Sequence, residues 1–179
     1  MATPRTGDLV FTSGYHGIKL LIRFFSDPLG VWRGDYVPHH VGIIRIDDGF
    51  TWVTEAQADD GVVRVKFDLW LEKHRRDRPR ILYMPFNGMR SEIGAAIAKN
   101  EGTPYETFDD FVKMAIGTNK EDRKRKVCST FIVKVLRDAG LHVAAISRAI
   151  RGLDIANTKP VDLYRWAIGI KGVHGEALA

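Results

Sequence analysis

The stretch His40 to Gln57, HVGIIRIDDGFTWVTEAQ, decides how this chain folds. The apolar run Val41 to Ile46 reads as a strand. Asp47-Asp48-Gly49 ends it with residues suited to a tight turn, and Thr51 to Ala56 reads as the returning strand. Asp59-Asp60-Gly61 marks a second turn, and Val62 to Phe67 a third strand. Three strands joined by short Gly-containing turns predict an antiparallel meander.

Toward the N-terminus, Asp8 to Thr12 reads as a further strand. Ile18, Leu21, Ile22 and Phe25 fall at helical spacing. Asp27-Pro28-Leu29-Gly30 reads as that helix's stop and a turn, with a loop from Val31 to Pro38. Beyond the meander, Asp68 is placed to cap a short helix carrying Leu69, Trp70 and Leu71. Arg80 to Phe86 has strand character.

The second half reads as mostly helical. One helix covers Ser91 to Lys99 and is broken by Gly102-Thr103-Pro104. Another is marked by Phe108, Phe111, Val112 and Ala115. A third begins near Cys128, with Phe131, Ile132, Val135, Leu136 and Ala139 as its stripe and Gly140 as its stop. Pro160-Val161-Asp162 fits a helix start. The expected class is α+β, an antiparallel sheet packed against helices.

The chain has 179 residues, which predicts a single domain over 1–179. Its core is expected at about 7–140, with a helical C-terminal extension over 141–179. The composition, 45% hydrophobic and 27% charged, excludes wholesale disorder and collagen-like repeats. One cysteine excludes an intramolecular disulfide scaffold. A net charge of +5 permits an acidic partner without requiring one. No apolar run has membrane-span length, and the start, MATPRTGD, lacks a signal's apolar core. The expected location is the cytoplasm by default, or delivery by a virus, phage or other non-classical route.

Cys128 stands where a helical pattern begins, just after Lys124, Arg125 and Lys126. A sulfur there meets the helix's positive end and nearby cations, which favour the thiolate. Its backbone N–H groups are also placed to hold an oxyanion. The competing reading is a small buried apolar residue. A nucleophilic thiol needs a base. Of six histidines, His16, His74, His142 and His174 look solvent-facing from their contexts. His39 and His40 enter the strand Val41 to Ile46. By alternation His40 shares a face with Gly42 and Ile44, and Gly42 leaves room beside it. A hydrogen-bonded, half-buried histidine is the alternative. Glu55, a charge inside an apolar strand, is the candidate to orient the base. An edge-strand glutamate facing water is the alternative, and Asp59 and Asp60 are weaker rivals.

The pieces Gly7-Asp8-Leu9-Val10-Phe11, His40-Val41-Gly42-Ile43, Thr54-Glu55-Ala56 with Gly61-Val62, Gly102-Thr103-Pro104-Tyr105 and Cys128-Ser129-Thr130-Phe131 occur in this order. Together they resemble the circularly permuted papain-like fold of the NlpC-type amidases and peptidases. The permuted branch places histidine before cysteine, as here. The resemblance implies Cys128 as nucleophile, His40 as base and acid, and Glu55 as orienter. Tyr105 and Ser129 fall in its substrate pocket. It implies acyl transfer or hydrolysis at an amide, thioester or ester bond, and the expected activity is cleavage of a peptide amide, including cell-wall peptides.

Two further readings stand beside this one. A lipid acyltransferase or thioesterase of related fold would use Ile18 to Phe25 for membrane-surface contact, where the other reading is a core helix. A non-catalytic binding module would retain the fold without the chemistry. The run Lys120 to Lys126, with five basic and two acidic residues, could touch phosphates, but Glu121 and Asp122 argue against nucleic acid. No zinc-type Cys/His spacing or phosphate-binding Gly-rich loop is present, so no metal and no cofactor is expected. The oligomeric state is not legible.

Overall fold

The computed structural model describes residues 2–15, 18–57, 60–104, 128–141 and 158–178. Strands β1 (Leu9–Thr12), β2 (His40–Asp47), β3 (Phe50–Gln57), β4 (Gly61–Lys66), β5 (Arg80–Tyr83) and β6 (His174–Ala177) form one sheet in the order β4-β3-β2-β1-β5-β6. Every neighbouring pair is antiparallel. The helices are α1 (Ile18–Ser26), α2 (Pro28–Arg33), α3 (Phe67–His74), α4 (Arg90–Asn100), α5 (Cys128–Asp138) and α6 (Pro160–Ile168). The architecture is α+β.

The β2–β3 hairpin turns through Asp48 at φ 49° and Gly49 at φ 76°. Two successive left-handed residues give the turn whose twist matches the strands, and an Asp-Gly pair supplies them at low cost. Its register sets Gly42 opposite Glu55 and Ile44 opposite Val53.

The alternation splits the core between the sheet's two faces. On one side Leu9, Phe11, Val41 and Ile43 pack with Ile93 and Ile97 of α4, Phe131 and Leu136 of α5, and Leu163 and Trp166 of α6. On the other, Val10, Ile44, Val53 and Ile81 pack on Trp70 of α3. Asp8, fully buried, anchors the start of β1: its carboxylate accepts from the backbone N–H groups of Arg5 and Met84, with Arg90 at 3.4 Å. The Asp8 of the GDLVF segment therefore serves the sheet.

The structure corrects several expectations. Residues 28–33 are helical: Asp27 caps α2 by accepting from the Gly30 N–H, and Pro28 opens it. Pro is tolerated there because its missing N–H would have no helical partner. Asp68 does not cap α3. It lies in the first turn, and Lys66 holds the cap position without a side-chain bond. Of the segment after 140, Leu141 and residues 158–178 are described, and the latter carry α6 and β6. Leu163, Trp166 and Ala167 complete the main core, and β6 extends the sheet beside β5. The helix expected around Phe108 to Ala115 and the basic run 120–126 lie outside the described residues. Among the described residues, no helix is long and apolar enough to cross a membrane.

Candidate active site

β2 begins at His40, whose cross-strand partner on β1 is Thr12. Glu55 sits on β3 opposite Gly42, two residues along from His40. A Cβ at Gly42 would stand 2.6 Å from Val53 Cγ1 and 3.2 Å from Val10 Cγ2. Glycine therefore lets the strands close at this point. The diagonal then brings His40 Nε2 to 2.7 Å from Glu55 Oε2.

Glu55 is 1% exposed and carries three donors on two oxygens. Trp70 Nε1–H donates to Oε2 at 2.7 Å and Gln57 Nε2 donates to Oε1 at 2.5 Å, alongside the His40 contact. Gln57 is itself oriented by Lys73, which donates to its Oε1 at 3.3 Å. The His40 charge and these bonds, acting against burial, keep the carboxyl ionised, and an ionised carboxylate only accepts. The arrangement makes His40 Nε2 a proton donor and leaves Nδ1 for another partner.

Cys128 lies close enough to the His40 ring to act on it electrostatically and through a side-chain hydrogen bond. Cys128 is the first residue of α5 and belongs to the core cluster on the helix-packed face, whereas Glu55 bonds Trp70 of the opposite cluster. His40, at the end of its strand, meets both. Burial alone would favour the neutral ring. The charge of Glu55, with the neighbouring Cys128 sulfur adding to it, outweighs burial and holds the His40 pKa above its ordinary value. Burial likewise disfavours the Glu55 anion, but the His40 charge and the His40 and Trp70 bonds hold its pKa below the carboxylate range. His40 keeps 17% side-chain exposure, and Cys128 is 6% exposed.

His74 is not solvent-facing, contrary to its sequence context. It is buried one helical turn after Trp70, with its ring 4.8 Å from the Trp70 ring and stacked 6.2 Å from His40 at 18°. Its Nδ1 lies 3.1 Å from Asp77 Oδ2, which also accepts from Lys19 Nζ at 2.6 Å. Burial and the His40 charge both lower its pKa. The Trp70–His74 spacing of four residues was the available signal for a shared helix face.

The other candidates fall elsewhere. His39 is buried and structural: its Nδ1 accepts from the Gly14 N–H at 3.0 Å, and its Nε2 lies 3.4 Å from Thr12 Oγ1. Burial, then the His40 charge, pushes its pKa down to about 3. His174 is exposed on β6 and stacks on Tyr83. Ser129, expected in the substrate pocket, packs inward from α5. It is fully buried, and its hydroxyl donates to the Thr158 carbonyl at 2.5 Å, tying α5 to the entry of α6. Its place directly after Cys128 turns it inward with the helix. Tyr105, His16, His142 and Asp59 lie outside the described residues, and Asp60 is exposed beside the turn into β4.

No family model matches the chain, and no curated protein matches it in sequence. Among solved structures, the metalloprotein yiiX from Escherichia coli O157:H7, DUF1105, is similar over 99% of this chain and 99% of its own. The TM-score is 0.66 and the sequence identity 16%. At that identity the likeness is one of fold. Among the described residues of this chain, no three His, Cys, Asp or Glu side chains are grouped to hold a metal ion.

Proposed function

We propose that this chain is a cysteine-dependent hydrolase of the permuted papain-like type, cleaving an amide bond through Cys128, His40 and Glu55. The observation that carries the reading is the buried His40–Glu55 pair at 2.7 Å with Cys128 acting on the same ring. A cationic imidazole beside a sulfur favours the thiolate, the reactive form.

In this mechanism the Cys128 thiolate adds to the acyl carbon. The Cys128 N–H, in the first turn of α5, faces the developing oxyanion. His40 then gives its proton to the leaving amine. Water, deprotonated by the neutral ring, resolves the thioester. Glu55 stays ionised throughout, fixed by Trp70 and Gln57, and holds the ring's tautomer. The substrate class is a peptide, cell-wall peptides included.

The test pairs Cys128→Ala and His40→Ala with iodoacetamide labelling near pH 6. Wild type should label rapidly, His40→Ala slowly, and either variant should lose several orders of magnitude in turnover with the fold intact. Full activity in either variant sinks the assignment.

One observation favours a second reading, in which the acyl group comes from a lipid. Leu29, Trp32, Phe24 and Leu20 of the α1–α2 excursion are 66%, 81%, 44% and 39% exposed. Leu20, Phe24, Val31 and Trp32 line one groove of about 470 Å³. Trp beside aliphatic residues suits a membrane interface. Among the described side chains of α1, Arg23 is buried while Leu20 and Phe24 are exposed. Co-sedimentation with vesicles that is lost in Trp32→Ser would support this reading.

A further inference from the structure

Three arginines converge on the helix-packed face of the sheet with no acid, among the described residues, to meet them. Arg23 of α1 is fully buried. Its Nε donates to the Val37 carbonyl at 2.9 Å and its Nη1 to Gly14 at 3.3 Å, leaving Nη2 buried without a partner. Its guanidinium lies 4.1 Å from the centre of the Tyr15 ring. Arg78 donates to the Tyr15 hydroxyl and stands 5.6 Å from the Tyr36 ring. Arg80, which opens β5, covers the Tyr36 ring at 4.2 Å and donates to the Tyr164 hydroxyl at 3.0 Å. Among the described residues none of the three forms an ion pair. The nearest carboxylate in sequence, Asp77, is taken by Lys19 and His74.

The Tyr36 hydroxyl, buried and unpartnered, lies inside this ring of charge. Arg80, Arg78 and Arg23 all act on it electrostatically. Arg80 is half-buried and Arg78 exposed, while Arg23 Nη2 and the Tyr36 hydroxyl are buried donors without acceptors, which is costly, most of all for a guanidinium. A group of such donors is what an oxyanion satisfies. The backbone adds to this. Arg78 holds φ 49°, a conformation that long side chains rarely adopt.

We propose that Arg23, Arg78 and Arg80, with the Tyr36 and Tyr164 hydroxyls, bind an oxyanion, a phosphate or carboxylate carried by the substrate. The binding claim stands on this cluster alone, while its role as a substrate subsite rests on the proposed function. The register places it. Phe11 is opposite Arg80 on one side and Val41 on the other, one residue from His40. Phe11, Val41 and Cys128 share a core cluster, and Tyr164 packs edge-on against Phe11 at 5.2 Å. The anion site and the sulfur thus lie on one face. The site is two strand spacings, about 10 Å, from β2. That span fits a substrate whose charged end is a few bonds from its scissile carbonyl. Arg80 and Tyr164 also line a groove of about 310 Å³ running toward β6.

The test uses iodoacetamides carrying a four-carbon arm that ends in a phosphonate, a carboxylate or a methyl group. On the full chain, an anionic tail should alkylate Cys128 at least ten-fold faster than the methyl tail, with saturation. The preferred anion then names the substrate group. The preference should fall to near unity in Arg80→Gln and in Arg78→Gly, with the methyl reagent's rate unchanged. Arg78→Gly should melt no lower than wild type, because glycine accepts that φ without strain, so loss of preference there cannot be ascribed to unfolding. Equal rates for all three reagents on wild type, or a preference that survives both variants, overturn the proposal. Failure of the proposed function is read separately, as a methyl-reagent rate unaffected by His40→Ala.

Discussion

Replacing Glu55 by Gln isolates the central electrostatic claim. Gln matches Glu in shape but puts an NH2 where one of two acceptor oxygens stood. Three donors, from His40, Trp70 and Gln57, converge on those oxygens, so at least one donor must face another. The charge is lost as well. For unit charges about 4 Å apart, an effective dielectric constant of about 20 gives about 4 kcal/mol. Removing one partner of a buried pair costs about 3–5 kcal/mol. We therefore expect Glu55→Gln to lower the unfolding free energy by about 3 kcal/mol at pH 5.5. The pH dependence has a definite form. Glu55 has a folded pKa below its ordinary 4.5, so its contribution is present above that value and is lost as pH falls through the folded pKa. His40 has a folded pKa above its ordinary 6.5, so its contribution is complete below that value and is lost as pH rises through the folded pKa. The gap between wild type and variant should peak between about pH 4.5 and 6.5 and narrow on both sides. Urea unfolding curves across pH measure it. A gap below about 0.5 kcal/mol, or one flat with pH, would refute a charged pair.

Three more outcomes follow from the same geometry. Gly42→Ala drives a methyl to 2.6 Å from Val53 Cγ1; it should cost about 1–3 kcal/mol in thermal unfolding and slow Cys128 labelling as the His40–Glu55 diagonal opens. Ser129→Ala removes the bond to Thr158; it should lower stability by about 1 kcal/mol and leave labelling unchanged, whereas slower labelling would return Ser129 to the substrate pocket. His39, with its folded pKa depressed to about 3, stabilises the fold fully above its unfolded value of 6.5 and progressively less as pH falls. The stability difference between wild type and His39→Gln should accordingly shrink by about 2 kcal/mol from pH 7.5 to pH 5 in urea titrations.

The meander was legible because alternation and an Asp-Gly turn are local signals. The turn at Asp48-Gly49, the strand His40–Asp47 and the pairing of its neighbour all follow from short-range chemistry. The register was not legible, since a slip of one residue changes no local preference. Gly42 against Val53 settles it in three dimensions. β6, His174-Gly175-Glu176-Ala177, carries no β-branched residue and is a strand only because β5 offers it a pairing edge. His74 lies in Lys73-His74-Arg75-Arg76, which reads as surface. Only docking α3 on the sheet, through Trp70, buries it. The arginine–tyrosine cluster draws on α1, the approach to β2, the approach to and start of β5, and α6. No spacing along the chain could have announced it.

Chain order has a bearing on how the molecule matures. His40 and Glu55 belong to one hairpin, whose contacts are local and form early. The sulfur enters the same neighbourhood from the far half of the polypeptide, and β6 joins the sheet later still. During synthesis the imidazole and carboxylate can assemble while the thiol is not yet made or remains unactivated. If Cys128 is the nucleophile proposed above, the nascent protein is in this way shielded from it until the last segments have docked.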